Sequence, residues 1–323
     1  MAVKKILLLL LIVCTVVSAQ DEALAERIKR LGEGLVRGYT QPLVTAFGSG
    51  ISSGLFHSAY SHDVLGLDIG VRGIFVSIPS SAKYFDGTAL ICSLGVDGLG
   101  CDSLELQNLS TVFGPADSTR VLTSENKVAV PPVIPGGFNM SHVPLVVPQL
   151  NIGLVSGLEI GVRYLPFRFQ GSSVRLVGVS VKQELTKLPP LSITPIPLAI
   201  AIGGAYQAFY INDSLGEQVV NSRTWSVQLL MSTRIAVIEP FVGVGIEGTK
   251  VHFPYEFKYD IPDIDNPGGL TTVTEEIDIE MNGENEYRAM FGFSLRLGFV
   301  LLHYDYNIMP YATHNAMVAL SIR

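Results

Sequence analysis

The chain has 323 residues, of which 48% are hydrophobic and only 16% charged, with 32 glycines, a net charge of −7 and a mean hydropathy of +0.38. Apolar surface is too plentiful for an intrinsically disordered chain, and a pI near 5.4 excludes the basic footprint of a nucleic-acid binder. A stack of transmembrane helices is excluded too, because the one long uninterrupted apolar run stands at the extreme N-terminus.

That run is read as an address. Lys4 and Lys5 precede the apolar stretch Ile6 to Val17, and the small residues Val17-Ser18-Ala19 follow it, the pattern of a secretory signal peptide cut after residue 19. The stretch is shorter than the roughly 20 residues needed to span a bilayer. Cys14 lies inside it behind Ile12 and Val13, where lipid attachment wants small residues, so it reads as filler. Next comes an amphipathic helix candidate, Glu22 to Val36, with Leu24, Ile28, Leu31 and Leu35 on one stripe.

From residue 45 onward a period of two replaces the helical period. Leu65, Leu67, Ile69 and Val71 alternate with Gly66, Asp68, Gly70 and Arg72. Leu158, Ile160, Val162 and Tyr164 alternate with Glu159, Gly161 and Arg163, and the pattern recurs around Trp225, Phe291, Tyr304 and Val318. Strands are predicted near 45–57, 64–76, 87–95, 147–154, 158–167, 173–185, 197–210, 221–233, 235–251, 286–296, 298–308 and 314–323. They run longer than the usual five or six residues of globular strands, and their apolar faces carry no charge. A half-buried soluble sheet also alternates. Length, charge-free apolar faces and aromatics gathered at strand ends (Tyr164, Phe167, Tyr206, Tyr304, Tyr311) instead favour an antiparallel transmembrane β-barrel of about 12 strands. Tight turns at 155–157, 233–235 and 296–298 fall on one side, and the long connections 96–146 and 252–285 on the other, which is the outer-membrane pattern of short periplasmic turns and long external loops. The expected organisation is a signal peptide over 1–19, a periplasmic helix over 20–44 that either plugs the lumen or lies against its rim, and a barrel over 45–323. Location in a bacterial outer membrane follows, with membrane lipid and the barrel-assembly machinery as partners.

An exported chain left with two cysteines, Cys92 and Cys101, joined by a glycine-rich loop, is expected to form one disulfide. Two thiolates with no nearby His do not complete a tetrahedral zinc shell, so no metal site is expected there.

Several segments resemble a known family. Tyr39-Thr40-Gln41-Pro42-Leu43, Phe47-Gly48-Ser49-Gly50, Ser53-Gly54, His57-Ser58-Ala59 and Leu65-Gly66-Leu67-Asp68 resemble the opening of an outer-membrane barrel family of unknown function. Val162-Arg163-Tyr164-Leu165-Pro166 and Gly178-Val179-Ser180-Val181-Lys182 are similar to its middle motifs. The resemblance implies location, barrel shape and a loose kinship with fatty-acid-transporter-type barrels, and it implies no catalytic residues. Leu55 stands where the family pattern has an aromatic residue, and the chain ends Ser321-Ile322-Arg323 without a terminal aromatic.

The inward positions collect Asp68, Arg72, Glu159, Arg163, Lys182, Arg234, Glu247, Arg288, Arg296, His303 and Asp305. These form either a charged constriction that selects solutes or ion-paired filler that seals a small barrel. The stretch Tyr259 to Glu286 is acidic with no Lys or Arg; a solvated loop is the simpler reading and cation chelation the alternative. His303 and Asp305 share a strand with no serine marked as partner, and no G-x-S-x-G, H-E-x-x-H or P-loop occurs. No enzyme, cofactor or metal is expected. The leading expectation is a pore or transporter for a small solute, hydrophobic solutes included; the rivals are a non-conducting barrel that presents its outer loops and a soluble periplasmic β protein.

Overall fold

A computed structural model describes residues 33–95, 98–117, 120–121, 133–134, 136–169, 172–193, 197–212, 216, 218–262 and 270–322. The signal peptide 1–19 and most of the predicted helix 22–36 lie outside these residues. The first described element is a helix, α1 (Glu33–Ile51), followed by an irregular segment, 52–66. The strands are β1 (Leu67–Ser77), β2 (Tyr84–Gly95), β3 (Gly98–Ser110), β4 (Arg120–Val121), β5 (Val133–Ile134), β6 (His142–Gly153), β7 (Leu158–Phe169), β8 (Ser172–Glu184), β9 (Leu198–Asn212), β10 (Gln218–Thr233), β11 (Ile238–Pro262), β12 (Leu270–Asn282), β13 (Tyr287–Leu297), β14 (Val300–Ile308) and β15 (Thr313–Ile322).

Ten of them close a barrel in the order β10-β9-β8-β7-β6-β1-β15-β14-β13-β11, with β11 pairing back onto β10 and every pairing antiparallel. From Gly70 the register runs through Gln149, Arg163, Gly178, Gln207 and Thr224 to Thr249. In the other direction it runs through Ala319, Leu301 and Arg296 to Val237. The two arrivals on β11 differ by about 12 residues, a stagger that in ten strands gives a tilt of about 40°. The connections 154–157, 234–237 and 298–299, the approach to β1 and the end of β15 share one end, the short-turn end. The excursion 78–141, with hairpins β2–β3 and β4–β5, rises from the other, the long-loop end. The outer half of β11 leaves the wall there and pairs with β12.

Two predicted strands are not in the wall, so the count falls from twelve to ten and stays even. Residues 45–57 complete α1 and enter the irregular segment, and the wall begins at Leu67 rather than at residue 45. The glycine alternation there concealed a stronger helical signal: Leu35, Tyr39, Leu43, Phe47 and Ile51 recur every fourth residue. Three residues past the end of the helix Gly54 adopts φ +60°, a left-handed conformation that glycine enters without a Cβ penalty. The predicted strand 87–95 belongs to β2, which pairs only with β3 outside the wall.

The wall is polar inside and apolar outside. Alternate residues such as Val71, Val179, Leu229, Ile246, Phe293 and Val318 are exposed on the outer face, while their neighbours Arg72, Ser180, Gln228, Glu247, Ser294 and Met317 are buried. Among the described residues no helix is long and apolar enough to cross a membrane.

Candidate functional site

The barrel is not empty. α1 enters at the long-loop end, where Gly38 lies against the Phe85 ring, Gly87 against Leu35, and Val112 N–H bonds Tyr39 C=O. The chain then descends the lumen as residues 52–62 and reaches the short-turn rim, where Gly153 backs onto His62 and Asp63. Residues 33–63 thus form a plug that runs from one end of the barrel to the other.

Around α1 the filling is carbon. Leu35, Val36, Tyr39, Val44 and Ile51 pack with Ile74, Val76, Val147, Phe209, Val251, Phe253, Ile279 and Met281 from the wall and the β11–β12 hairpin. A helix bonds its own peptide groups, so such a lining leaves few of them unpaired. The N–H groups of Ser52 and Ser53 still bond Gly48 and Gly50 C=O, but residues 54–62 have no such regular pairing, and wall side chains supply partners along the segment. Arg163 spans three carbonyls: Nη1 bonds Ile51 C=O at 2.9 Å, while Nη2 bonds Ser53 C=O at 3.0 Å and also Gly54 C=O. Gln207 reaches Ile51 C=O (2.7 Å), Arg288 reaches Ser52 C=O (2.9 Å) and Gln149 reaches Leu55 C=O (2.8 Å). Lower down, Ser294 Oγ donates to His57 C=O (3.0 Å) and Lys182 Nζ to the carbonyls of Ser58 (3.1 Å) and Tyr60 (2.9 Å). Ser232 Oγ accepts from Ala59 N–H (2.8 Å) and Glu184 Oε2 from Ser61 N–H (2.7 Å).

Ion pairs tie these side chains to one another. His62 joins Glu159 (2.7 Å) and Asp68 (2.9 Å), His57 faces Asp68 at 3.3 Å, and Lys182 meets Glu159 at 3.1 Å. Asp305 collects Arg72 (3.3 Å), His303 (2.9 Å), Asn307 (2.5 Å) and Asn315 (2.6 Å). Arg288 pairs with Glu247, which also accepts from Asn285. The register sets Ser294 opposite His303, with Ser294 Oγ 3.0 Å from His303 Nδ1 and His303 Nε2 facing Asp305. That is a Ser–His–Asp chain, but the serine hydroxyl is committed to His57 C=O and all three residues are buried.

Of the eleven residues singled out from the sequence, Asp68, Arg72, Glu159, Arg163, Lys182, Glu247, Arg288, His303 and Asp305 are buried inside this assembly. Arg234 and Arg296 stand apart, half-exposed or less at the short-turn rim, and both bond Glu239 (3.0 and 3.4 Å); Arg234 also covers the Tyr60 ring at 3.8 Å. Sequence reading missed Gln149, Glu184, Gln207, Glu239 and Ser294. The period of two would have found Glu184, Glu239 and Ser294, which share the inward parity of Lys182, Glu247 and Arg296; the strands of Gln149 and Gln207 carried no named residue to set the parity. It also missed His57 and His62, which lie in the segment taken for a strand or its loop.

In the β2–β3 hairpin the backbone register sets Cys92 directly opposite Cys101; their side chains lie outside the described residues, as do the side chains of 255–278 in the acidic stretch. Among the described residues no group of three or more His, Cys, Asp or Glu is arranged to hold a metal ion.

No curated protein matches this chain. Among solved structures it is similar to the translocator domain of the autotransporter NalP from Neisseria meningitidis, at 9% identity over 90% of this chain and 98% of that one, with a TM-score of 0.31. It is also similar to the outer-membrane protease OmpT from Escherichia coli (8% identity, 81% and 96% covered, TM-score 0.31) and to a BenF-like porin from Pseudomonas fluorescens Pf-5 (9%, 80% and 98%, TM-score 0.22). The model of the family of unknown function DUF6588 matches residues 3–322, and the chain belongs to that family.

Proposed function

We propose that this protein is a bacterial outer-membrane barrel whose lumen is a gated passage for small solutes, closed by residues 33–63. An outer face of Val, Leu, Ile and Phe around a polar interior suits lipid outside, and about ten residues tilted at about 40° rise about 25 Å, the height of an outer-membrane apolar band. The signal peptide, periplasmic short turns and external long loops complete this reading, with barrel-assembly machinery inserting the chain. Cys92 and Cys101 join as a disulfide in an external hairpin.

One observation carries the gate: the wall holds residues 52–62 through their peptide groups. Each of those bonds can be exchanged for a bond to water at a net cost of about 1 kcal/mol for a neutral pair and about 1.5–3 kcal/mol where Arg, Lys or Glu takes part. A wall of Arg, Lys, Gln and Ser is therefore as compatible with a wet open lumen as with a filled one. The carbon packing around α1 favours a second reading, a sealed barrel that presents its β2–β3 and β11–β12 hairpins.

Ser53 Oγ and Thr313 Oγ1 lie 2.9 Å apart, so Ser53→Cys with Thr313→Cys, in a chain whose Cys92 and Cys101 are Ser, would pin the plug to β15. The gate reading expects discrete single-channel steps from the reduced protein in a planar bilayer and none after oxidation. Steps of unchanged size after oxidation overturn it. Silence in both states, from protein whose heat-modifiable gel mobility shows it folded, selects the sealed barrel.

A further inference from the structure

The plug has a direction, and its contacts give the height of each of its parts. Arg37 Nη1 bonds Glu280 C=O (2.7 Å) and Gln41 Nε2 bonds Asn282 C=O (2.9 Å), both on β12, which stands outside the wall at the long-loop end. One helical turn on, Glu284 N–H bonds Thr45 Oγ1 (3.2 Å), and Gly48 rests on Thr249. Ser53 then meets Thr313, the first residue of β15, and His57 meets Ser294 in the lower part of β13. His62 meets Glu159, the second residue of β7, at the short-turn end. Height falls steadily along the chain, with no reversal between Arg37 and His62.

The chain therefore comes to α1 from the long-loop side. Leu35 is buried against Gly87 of β2, whereas Gly34 is exposed, and a Cβ on it would meet nothing within 4 Å. No way back down the lumen is left beside the helix. Val44 and Ile51 pack with Ile74, Val76, Val147, Phe209 and Val251, and a barrel of ten strands encloses little more than one helix. The wall gives no side exit either, because each of its strands pairs with two neighbours and the circle closes through β10 and β11.

We infer that the mature N-terminus stands on the outer side of the cell, so that this barrel conveys its own leading segment across the outer membrane and holds it there. The inference rests on the reading that places the long loops outside, and it is independent of whether the lumen conducts. A chain freed from a signal peptide begins in the periplasm, on the side of the short turns. To reach its place ahead of residue 52 the leading segment has to pass up the lumen or be enclosed as the wall closes around it. That reverses the periplasmic position expected for residues 20–44. The lower wall suits a moving polypeptide: Arg163, Gln207, Arg288, Gln149 and Lys182 all address carbonyl groups. Every residue carries one, so these contacts set no sequence requirement on the chain that travels past them.

Single cysteines test the sidedness in intact cells, in the full chain with Cys92 and Cys101 replaced by Ser. The probe is a polyethylene glycol maleimide too large to cross the outer membrane, read as a gel shift, with the chain lacking an added cysteine as blank. Gly34→Cys marks the entry to α1. Ser81→Cys, exposed just beyond β1, marks the long-loop end, and Val155→Cys marks a short turn. The expected result is that Gly34→Cys and Ser81→Cys react equally in intact and permeabilised cells, and that Val155→Cys reacts only after permeabilisation. If Gly34→Cys gains its label only after permeabilisation, or never, in cells where Ser81→Cys reacts intact and gel mobility shows both proteins folded, the inference is overturned and the orientation of the barrel stands. If Val155→Cys reacts in intact cells and Ser81→Cys does not, the orientation itself is overturned, and the inference with it.

Discussion

Between Glu33 and Ile51 the plug meets the barrel mainly through carbon, whereas between Ser52 and His62 its backbone meets the wall through nitrogen and oxygen, with Leu55, Phe56 and Ala59 adding a small apolar contact. The difference follows from backbone conformation. α1 has spent its peptide groups on itself, so its surroundings are Ile74, Val76, Phe209, Phe253 and Met281. Past Gly54 the chain is irregular and buried, and nearly every peptide group needs an outside partner. Arg163, Gln149, Lys182, Ser294 and Glu184 are those partners. The lumen charges are thus neither a bare constriction nor mere mutual filler: they replace, for one strand-length of irregular chain, the hydrogen bonds that a helix makes internally.

The hardest test of that contrast is Arg163→Ala. It removes a buried guanidinium bonded to the carbonyls of Ile51, Ser53 and Gly54 and to Gln149, and leaves those acceptors dry except Ile51 C=O, which Gln207 also holds. The expected loss is about 3–5 kcal/mol in urea unfolding followed by gel mobility, with more frequent channel openings in whatever protein remains folded. Arg163→Lys should recover little, because an ammonium cannot reproduce the fork that spans three carbonyls. In the upper half, Val44→Ala removes two methyl groups from the packing around α1 and should cost about 2 kcal/mol. Channel frequency should not change with it, since no bond to residues 52–62 is touched. Equal effects on conductance from the two variants would dissolve the distinction.

Much of this was legible beforehand, and the rest was obscured for identifiable reasons. Alternation placed eight of the ten wall strands within a few residues, β6 in its second half and β11 in its wall-forming half, because an apolar outer face and a polar inner face impose a strict period of two. It also named most of the charges that hold the plug. It erred at 45–57, where Phe47-Gly48-Ser49-Gly50-Ile51 alternates in composition while the four-residue spacing from Leu35 to Ile51 governs the fold. Taking that segment as wall left no plug to be gripped, so the partners of Arg163 and Lys182 could not be inferred: a period assigns a side chain to a face but says nothing of what crosses the lumen. The adjacency of Ser294 and His303 was out of reach for a related reason, since it depends on the β13–β14 register.

A smaller effect is expected at the junction of the two halves. Gly54 sits at φ +60°, and a Cβ there would come within 2.3 Å of the Arg72 side chain. Gly54→Ala should cost about 1–2 kcal/mol from the left-handed backbone alone, with Arg72 pushed from its place beside Asp305. A neutral result would mean that the chain past Ile51 has slack and that the grip of the lower wall is loose.

The smallest effect belongs to Ser294→Ala. Its hydroxyl donates to His57 C=O at 3.0 Å and lies beside His303 Nδ1, so its loss should cost about 1 kcal/mol and leave channel behaviour nearly unchanged. The same residue separates a clamp from a nucleophile, because Ser294, His303 and Asp305 are spaced as a hydrolase would space them. A serine bonded to a peptide carbonyl and sealed under the plug should not react with a fluorophosphonate. Labelling of the wild type that disappears in Ser294→Ala would show that residues 52–62 leave this site often enough to expose it, and that the lower wall, once released, does chemistry as well as holding the gate.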